Sequence, residues 1–293
     1  MSASKIPEEW LERFNRKLSE KGIPHARRPF DAISEWTKEH HCSITLDSPT
    51  AKFVFQWFEA HSPTGSHAIG SLFDGAFYFD AYFWKISVPV GFGTFQLNAL
   101  DSIENFPDFL RNQLAADRWQ LTNYVSLWVD VTDYGYGIHD LRGGKLSGFA
   151  GQLASSADRE LRATVRLLTE LRRTNPKAIE AARMATEMFL KAYLAVHTGL
   201  DELQAKRISH DIRKAVERCK RVKGLLDFEE IAKRIGVFPA IDSRYESKVY
   251  DDVQLWQAYC VAQFTAATFV RSLTDRDTRP QIFRQSQPRS TNG

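Results

Sequence analysis

The spacing of apolar residues divides the chain into two parts of different texture. Beyond Ser156, apolar positions such as Leu161 and Val165 recur with the 3.6-residue period of an α-helix. Pro, Gly and small polar residues mark where these helices begin and end. The pattern predicts helices beginning near residues 157 and 209 and over residues 176–196, 226–235 and 253–273. An all-α bundle over residues 157–274 follows from it.

The first half shows short runs of aromatic and β-branched residues separated by turn residues. An amphipathic helix ending at Gly22 precedes these runs, and a helix over 103–120 interrupts them. Their composition is typical of strands. The runs occupy residues 52–58, 76–84, 93–97 and 125–131. We therefore predict a mostly-β or α+β domain over residues 1–145, and an α+β chain overall.

Gly143 to Gly148 have the composition of a linker between these two parts. Beyond Asp275 the chain is polar and contains Pro and Gln, which predicts a disordered tail over residues 275–293.

Composition excludes several classes of protein. The chain is 43% hydrophobic and 26% charged, and its three cysteines lie far apart, which argues against a disulfide scaffold. No apolar run reaches the roughly 18 residues of a membrane-spanning helix. Residues 1–9 lack the apolar stretch of a signal peptide. We expect a cytoplasmic protein with no membrane partner.

Charge is distributed unevenly along the chain. Residues 1–150 carry 14 Lys and Arg against 18 Asp and Glu, a net −4, whereas residues 151–293 carry 25 against 18, a net +7. A basic half favours an anionic partner such as RNA or a nucleotide. The alternative is that solvated helices simply carry many basic side chains.

Three segments of the helical half occur in an order that carries a family resemblance. They are Ala182–Leu194, reading ARMATEMFLKAYL, then Ser209–Ile212, reading SHDI, and Ile241–Tyr245, reading IDSRY. They resemble the A-x-E-x-x-L-K-A helix, the H-D-L helix start and the R-Y segment of HEPN domains. The resemblance covers about residues 157–274, nearly half the chain; residues 1–150 resemble no family that we identify.

The resemblance implies a compact bundle of four or five helices that is usually dimeric. Some HEPN domains are metal-independent ribonucleases built on Arg-x4-6-His, and others bind nucleotides or protein partners. The implied setting is a bacterial toxin–antitoxin or anti-phage defence system. In the ribonucleases, an imidazole moves a proton near neutral pH while a guanidinium holds the scissile phosphate.

The corresponding segment departs from the ribonuclease motif at one position. Arg244 and Tyr250 have the spacing of Arg-x5-His, but a phenol keeps its proton at neutral pH and is a poor proton shuttle. We expect Arg244 and Tyr250, with Tyr245 beside them, to bind a phosphate with little cleavage. Alternatively, Arg244 pairs with Glu246 or Glu187 and both tyrosines pack in the core.

Three residues near the second motif are further candidates. His210, at a helix start beside Asp211, is a candidate for proton transfer, although in the family this His-Asp pair is usually structural. Lys191 and Arg207 are candidates for phosphate contacts, and the alternative for Lys191 is an ordinary lysine on a helix face.

Metal and cofactor motifs give no positive signal. The chain has no phosphate-binding Gly-x4-Gly-Lys-[Ser/Thr] loop, no Gly-x-Ser-x-Gly elbow and no His-Glu-x-x-His zinc helix. Two loose groups have ligand chemistry but no diagnostic spacing. They are His40, His41, His61 and His67, and Asp130, Asp133, His139 and Asp140. We predict no metal and no cofactor.

These observations lead to one preferred function and two alternatives. The preferred function is a dimeric HEPN-like protein that binds RNA or nucleotide phosphate with little cleavage and uses its aromatic first half for a protein partner. The enzymatic alternative is a metal-independent endoribonuclease with a variant site formed by Arg244, Tyr250 and His210. The third is a structural interaction protein with no nucleic-acid ligand.

Overall fold

The chain forms two units that are mostly helical. The computed structural model describes residues 6–42, 44, 48–62, 71–90, 97–142, 146–170, 175–223, 225–239 and 249–283. Contacts between residues divide the chain into residues 1–70 and residues 71–293. The described part contains one two-stranded antiparallel sheet, so the α+β class is confirmed in this broad sense.

The described residues of the first unit form three α-helices: α1 (Glu8–Glu20), α2 (Arg28–Glu39) and α3 (Pro49–Ala60). The predicted amphipathic helix is α1, and Gly22 after it has φ +67°, a conformation that suits glycine. The small core of the unit includes Leu11, Ile33, Trp36, Val54 and Phe58.

The strand predicted over residues 52–58 is wrong, because this segment is α3. Ser48 caps the helix by accepting a hydrogen bond from the backbone N–H of Ala51, and Pro49 occupies the first turn. The buried residues of α3 are Ala51, Val54, Trp57 and Phe58, which are spaced as one face of a helix.

The second unit begins with a β-hairpin. Strand β1 (Phe73–Phe79) pairs with β2 (Tyr82–Val88) in antiparallel register, with Phe73 opposite Val88. Asp80 and Ala81 both have positive φ, as a tight two-residue hairpin turn requires. Strand structure in the run 76–84 is confirmed, with the turn in its middle; residues 93–96 lie outside the described part.

Nine helices follow the hairpin in the described part of the second unit. They are α4 (Asp108–Ala116), α5 (Arg118–Arg142), α6 (Gly148–Thr169), α7 (Lys177–Thr198), α8 (Glu202–Ile208), α9 (Ile212–Lys223), α10 (Leu226–Arg234), α11 (Asp252–Arg271) and α12 (Arg279–Phe283). The helices predicted over 176–196, 226–235 and 253–273 are confirmed as α7, α10 and α11. Gly199, with φ +68°, ends α7.

The strand predicted over residues 125–131 is also wrong, since it lies inside α5. The buried side chains of α5 include Tyr124, Leu127, Val131, Tyr134 and Ile138, which follow the helical period. Aromatic and β-branched composition is therefore compatible with a helix here, because α5 is covered by the hairpin and by α11.

One hydrophobic core joins the hairpin to the helices of the second unit. It extends from Phe73 of β1 to Val270 of α11, so the division between units lies at residues 70–71 and not at the predicted 145–157. Helices α6 and α7 pack along each other, and α11 packs on both α5 and α7. At Gly75, a Cβ would lie 2.7 Å from Val131, so only glycine allows this close packing of the hairpin on α5.

The segment after α11 returns to the helices and is held there by charged groups. Thr278 donates its backbone N–H and its hydroxyl to the buried carboxylate of Asp133. Arg279 pairs with Asp227 of α10 at 2.9 Å and with Asp277 at 2.8 Å. The predicted disordered tail therefore does not begin at residue 275; residues 284–293 lie outside the described part.

Candidate functional site

A buried carboxylate on α7 is the centre of the candidate site. Glu187 is only 3% exposed, and Lys191, one helical turn later, places Nζ 2.7 Å from Glu187 Oε1. Lys191 is also buried and donates a second hydrogen bond, 2.6 Å long, to the carbonyl of Ser209. Its contacts are internal, so Lys191 supports the turn above it and does not reach out toward a phosphate as predicted.

The turn between α8 and α9 lies over this carboxylate. Ser209 has φ 58° and ψ −142°, a strained conformation for a residue with a side chain. Two α7 side chains hold the turn: Lys191 binds the carbonyl of Ser209, and Arg183 donates to the carbonyl of His210 at 2.8 Å. The cap of α9 is Asp211, whose side chain accepts a hydrogen bond from the backbone N–H of Lys214.

This turn places His210 against Glu187. The Nδ1 atom of His210 lies 3.2 Å from each carboxylate oxygen of Glu187, and the His210 side chain is 52% exposed. The carboxylate therefore orients the ring while leaving much of the imidazole open to solvent. An imidazole held in this way is suited to accept a proton or to donate a hydrogen bond to an anion.

The helices before and after His210 carry arginines for which the described part of the chain offers no carboxylate partner. Helix α9 carries six basic residues and one acidic residue, Glu217. Four arginines are exposed and have no carboxylate partner among the described residues; we call this set the basic face. It consists of Arg207 on α8 and Arg213, Arg218 and Arg221 on α9.

Two lysines on the same helices are paired with carboxylates, whereas Lys214 donates to the backbone carbonyl of Arg207. Lys206 binds Glu202 at 2.8 Å, and Lys220 binds both Glu217 and Glu229 at 3.1 Å. Lys220 and its two carboxylates together carry a charge of −1, so the four arginines of the basic face leave this surface positive.

The motif that corresponds to Arg-x5-His is only partly described. Arg244 and Tyr245 lie outside the described residues. Tyr250 lies just before α11, half-buried, and packs against the main core. Among the described residues, no hydrogen bond joins Tyr250 to His210 or to the basic face.

The two loose metal-ligand groups have other partners. Asp130 and Asp133 both bind Arg271, at 2.7 and 2.8 Å, and Asp140 binds Arg276 at 2.7 Å. Burial raises the pKa of Asp133 and raises that of Asp130 to about 6, with Arg271 opposing both shifts. Arginine side chains therefore hold all three carboxylates in structural ion pairs.

The histidine group in the first unit is used for packing. His40 stacks on Trp36 and His61 stacks on Trp57, with ring centroids 3.6 and 4.0 Å apart. No group of three or more potential metal ligands occurs in the part of the chain that the structure describes. His67 lies outside it.

Sequence reasoning named Lys191, Arg207 and His210 but missed the residues that organise them. Glu187 was predicted only as a possible partner for Arg244, although its i, i+4 spacing to Lys191 indicates an ion pair on one helix face. The hydrogen bond from Arg183 to the carbonyl of His210 could not be predicted from the sequence, because it depends on how the α8–α9 turn packs on α7.

Comparison with models of known protein families, with curated proteins and with solved structures found no match for this chain. Within the described residues, no helix combines the length and apolar character that crossing a membrane requires.

Proposed function

We propose that this chain is a HEPN-like protein that binds the phosphates of RNA through the basic face. The observation that carries the proposal is the set of four exposed arginines that have no carboxylate partner among the described residues, whereas Lys206 and Lys220 on the same helices are paired. Arginine binds phosphate bidentately and remains charged at every physiological pH.

The geometry of α9 matches an extended anion. Arg213, Arg218 and Arg221 fall within an arc of about 140° of the helix, and they span a length of about 12 Å. An RNA strand that follows this face meets more than one guanidinium, whereas a single small anion uses only one or two. An RNA strand therefore gains more from the face than a lone phosphate.

Little cleavage is expected from the segment that resembles the ribonuclease motif. Tyr250 stands where the family has histidine, and its ring packs on the core. The resemblance to HEPN domains also implies a dimer. Sedimentation equilibrium, which gives the mass of the particle in solution, tests this expectation.

Fluorescence anisotropy with a labelled single-stranded RNA tests the proposal. We expect Arg213→Ala and Arg218→Ala each to weaken binding severalfold in low salt. The matched control is Arg166→Ala, since Arg166 is an exposed helical arginine on α6 that pairs with Glu170 at 3.9 Å. Equal affinities for all three variants and the wild type, or no RNA binding at all, would contradict the proposal.

A second candidate function, metal-independent RNA cleavage, is favoured by one observation. Glu187 orients His210 while the ring stays half exposed, which is the arrangement of a general base. Incubation of labelled RNA in EDTA, wild type beside His210→Gln, separates the two functions. Cleavage to 2′,3′-cyclic phosphate ends that is lost in His210→Gln would favour this second function; intact RNA that is still bound favours the first.

A further inference from the structure

A polar cavity lies on the second unit, in a different place from the basic face. It has a volume of about 630 Å³ and opens between α5, α11 and the end of α10. This volume is in the range of small-molecule binding sites. None of the arginines of the basic face lines it.

Two amides face this cavity from opposite helices. Asn123 of α5 and Gln257 of α11 both line it and are exposed, and neither has a side-chain hydrogen bond within the described residues. Each amide offers a donor and an acceptor side by side, the pattern that pairs with the N6 and N7 edge of adenine. The half-buried indole of Trp256 lines the same wall as Gln257 and offers an aromatic surface for a base.

Positive charge collects at the α10 end of the cavity. Lys233 and Arg234 both line it and share one carboxylate, Glu230, at 3.5 and 2.6 Å. Hydrogen bonding from Arg234 lowers the pKa of Glu230, so that carboxylate is ionised at neutral pH. Two cations against one anion leave one positive charge. The carboxylate of Asp130 also lines the cavity and is bound by Arg271, which it shares with Asp133.

We propose that this cavity binds an adenine nucleotide. The base lies by Trp256 with its polar edge toward Asn123 and Gln257, and the phosphate lies at Lys233 and Arg234. The ligand is either a free mononucleotide or the terminal adenosine nucleotide of an RNA strand. The site is separate from the basic face and does not depend on the function proposed for it.

Isothermal titration of the full chain with AMP tests the proposal. We expect one AMP per chain and weaker binding of CMP. Gln257→Leu is expected to weaken AMP binding about tenfold, because an amide pair with a base is lost. The matched control is Gln113→Leu, an exposed glutamine on α4 that does not line the cavity, and it should leave the affinity unchanged. Lys233→Gln should weaken AMP but not adenosine, which lacks the phosphate.

Further measurements distinguish a free nucleotide from an RNA end as the ligand, and the cavity from the basic face as the site. If only a free nucleotide binds, Gln257→Leu weakens AMP and leaves RNA affinity unchanged. If the cavity takes an RNA end, Gln257→Leu weakens an oligonucleotide ending in adenosine more than one ending in cytidine. Arg213→Ala should not change AMP binding. Absence of binding both to millimolar AMP and to the adenosine end, or binding that Gln257→Leu and Lys233→Gln leave unchanged, would overturn the proposal.

Discussion

Lys191 and His210 bind the same buried carboxylate. Lys191 Nζ lies 2.7 Å from Oε1 of Glu187, and His210 Nδ1 lies 3.2 Å from both of its oxygens. The lysine is buried and the histidine is half exposed. The carboxylate of Glu187 therefore contacts both a buried side chain of α7 and a surface side chain at the start of α9. This contact fixes the turn from which the basic face extends.

Removal of that carboxylate should destabilise the protein strongly. In Glu187→Ala, the buried Lys191 loses the carboxylate that it pairs with, and we expect a loss of about 3–5 kcal/mol in the free energy of unfolding. Urea denaturation at pH 7 measures this loss. His210→Ala removes only the half-exposed partner and should cost much less. Similar losses in the two variants would show that Glu187 does not hold Lys191 as described.

The strain at Ser209 predicts a stabilising substitution. Its φ of 58° and ψ of −142° suit glycine, so Ser209→Gly should relieve strain that exceeds the entropic cost of glycine, for a gain of about 1 kcal/mol. Ser126→Gly, in the middle of α5, is the control and should lose about 1 kcal/mol. Thermal unfolding measures both variants. A loss of stability in Ser209→Gly as well as in Ser126→Gly would contradict the claim that the backbone of Ser209 is strained.

Asp130 should make stability fall as the pH rises from about 4 to 6. Burial raises the pKa of this carboxyl to about 6 in the folded state, from an unfolded value of about 3.9, so in this interval the folded protein holds a proton that the unfolded chain has released. The stabilisation is complete below the unfolded pKa and is lost as the pH passes the folded one. It amounts to about 3 kcal/mol for this group alone.

The measurement is the difference in unfolding free energy between Asp130→Asn and the wild type at several pH values. Because the variant lacks this titration, we expect it to gain stability relative to the wild type between pH 4 and pH 7. Asp108→Asn, at a fully exposed carboxyl, should show a nearly constant difference. A flat difference for Asp130→Asn as well would contradict the burial of this group.

Thr278 should anchor the segment that follows α11. Its hydroxyl donates to Asp133 Oδ1 at 2.8 Å, and Thr278→Ala leaves that buried carboxylate with one hydrogen bond fewer. We expect a loss of about 1–3 kcal/mol in stability and faster proteolysis near the carboxyl end. Thr122→Ala is the control and should have little effect, because the exposed hydroxyl of Thr122 donates to the carbonyl of Arg118 in its own helix. Unchanged proteolysis in Thr278→Ala would show that the anchor lies elsewhere.

Helix periodicity predicted helices of the second half, whereas strand-like composition predicted the hairpin correctly and was misleading at α3 and α5. Helices α7, α10 and α11 have clear start and stop residues, so they follow from the sequence. Helices α3 and α5 carry aromatic and β-branched residues because their faces are covered by other elements. Leu127, Val131 and Tyr134 are spaced with the period of an α-helix, although the composition of this segment is typical of a strand.

The residues of the candidate site could be predicted from the sequence, but the tertiary contacts between them could not. His210 and Arg207 stand out by residue type and position, and Glu187 with Lys191 by their spacing on α7. The backbone of Ser209 and the reach of Arg183 depend on tertiary packing, which no local pattern encodes. The same is true of the absence of partners on the basic face in the described part, since pairing depends on which carboxylates come near.

The salt dependence of RNA binding tests the central claim most directly. If the four arginines of the basic face each neutralise one phosphate of a single strand, the logarithm of the binding constant should fall with the logarithm of salt concentration with a slope of about −3. Replacing Arg213, Arg218 and Arg221 together with alanine should bring the slope close to −1. A slope that stays the same in the triple variant would contradict the claim that these arginines bind RNA.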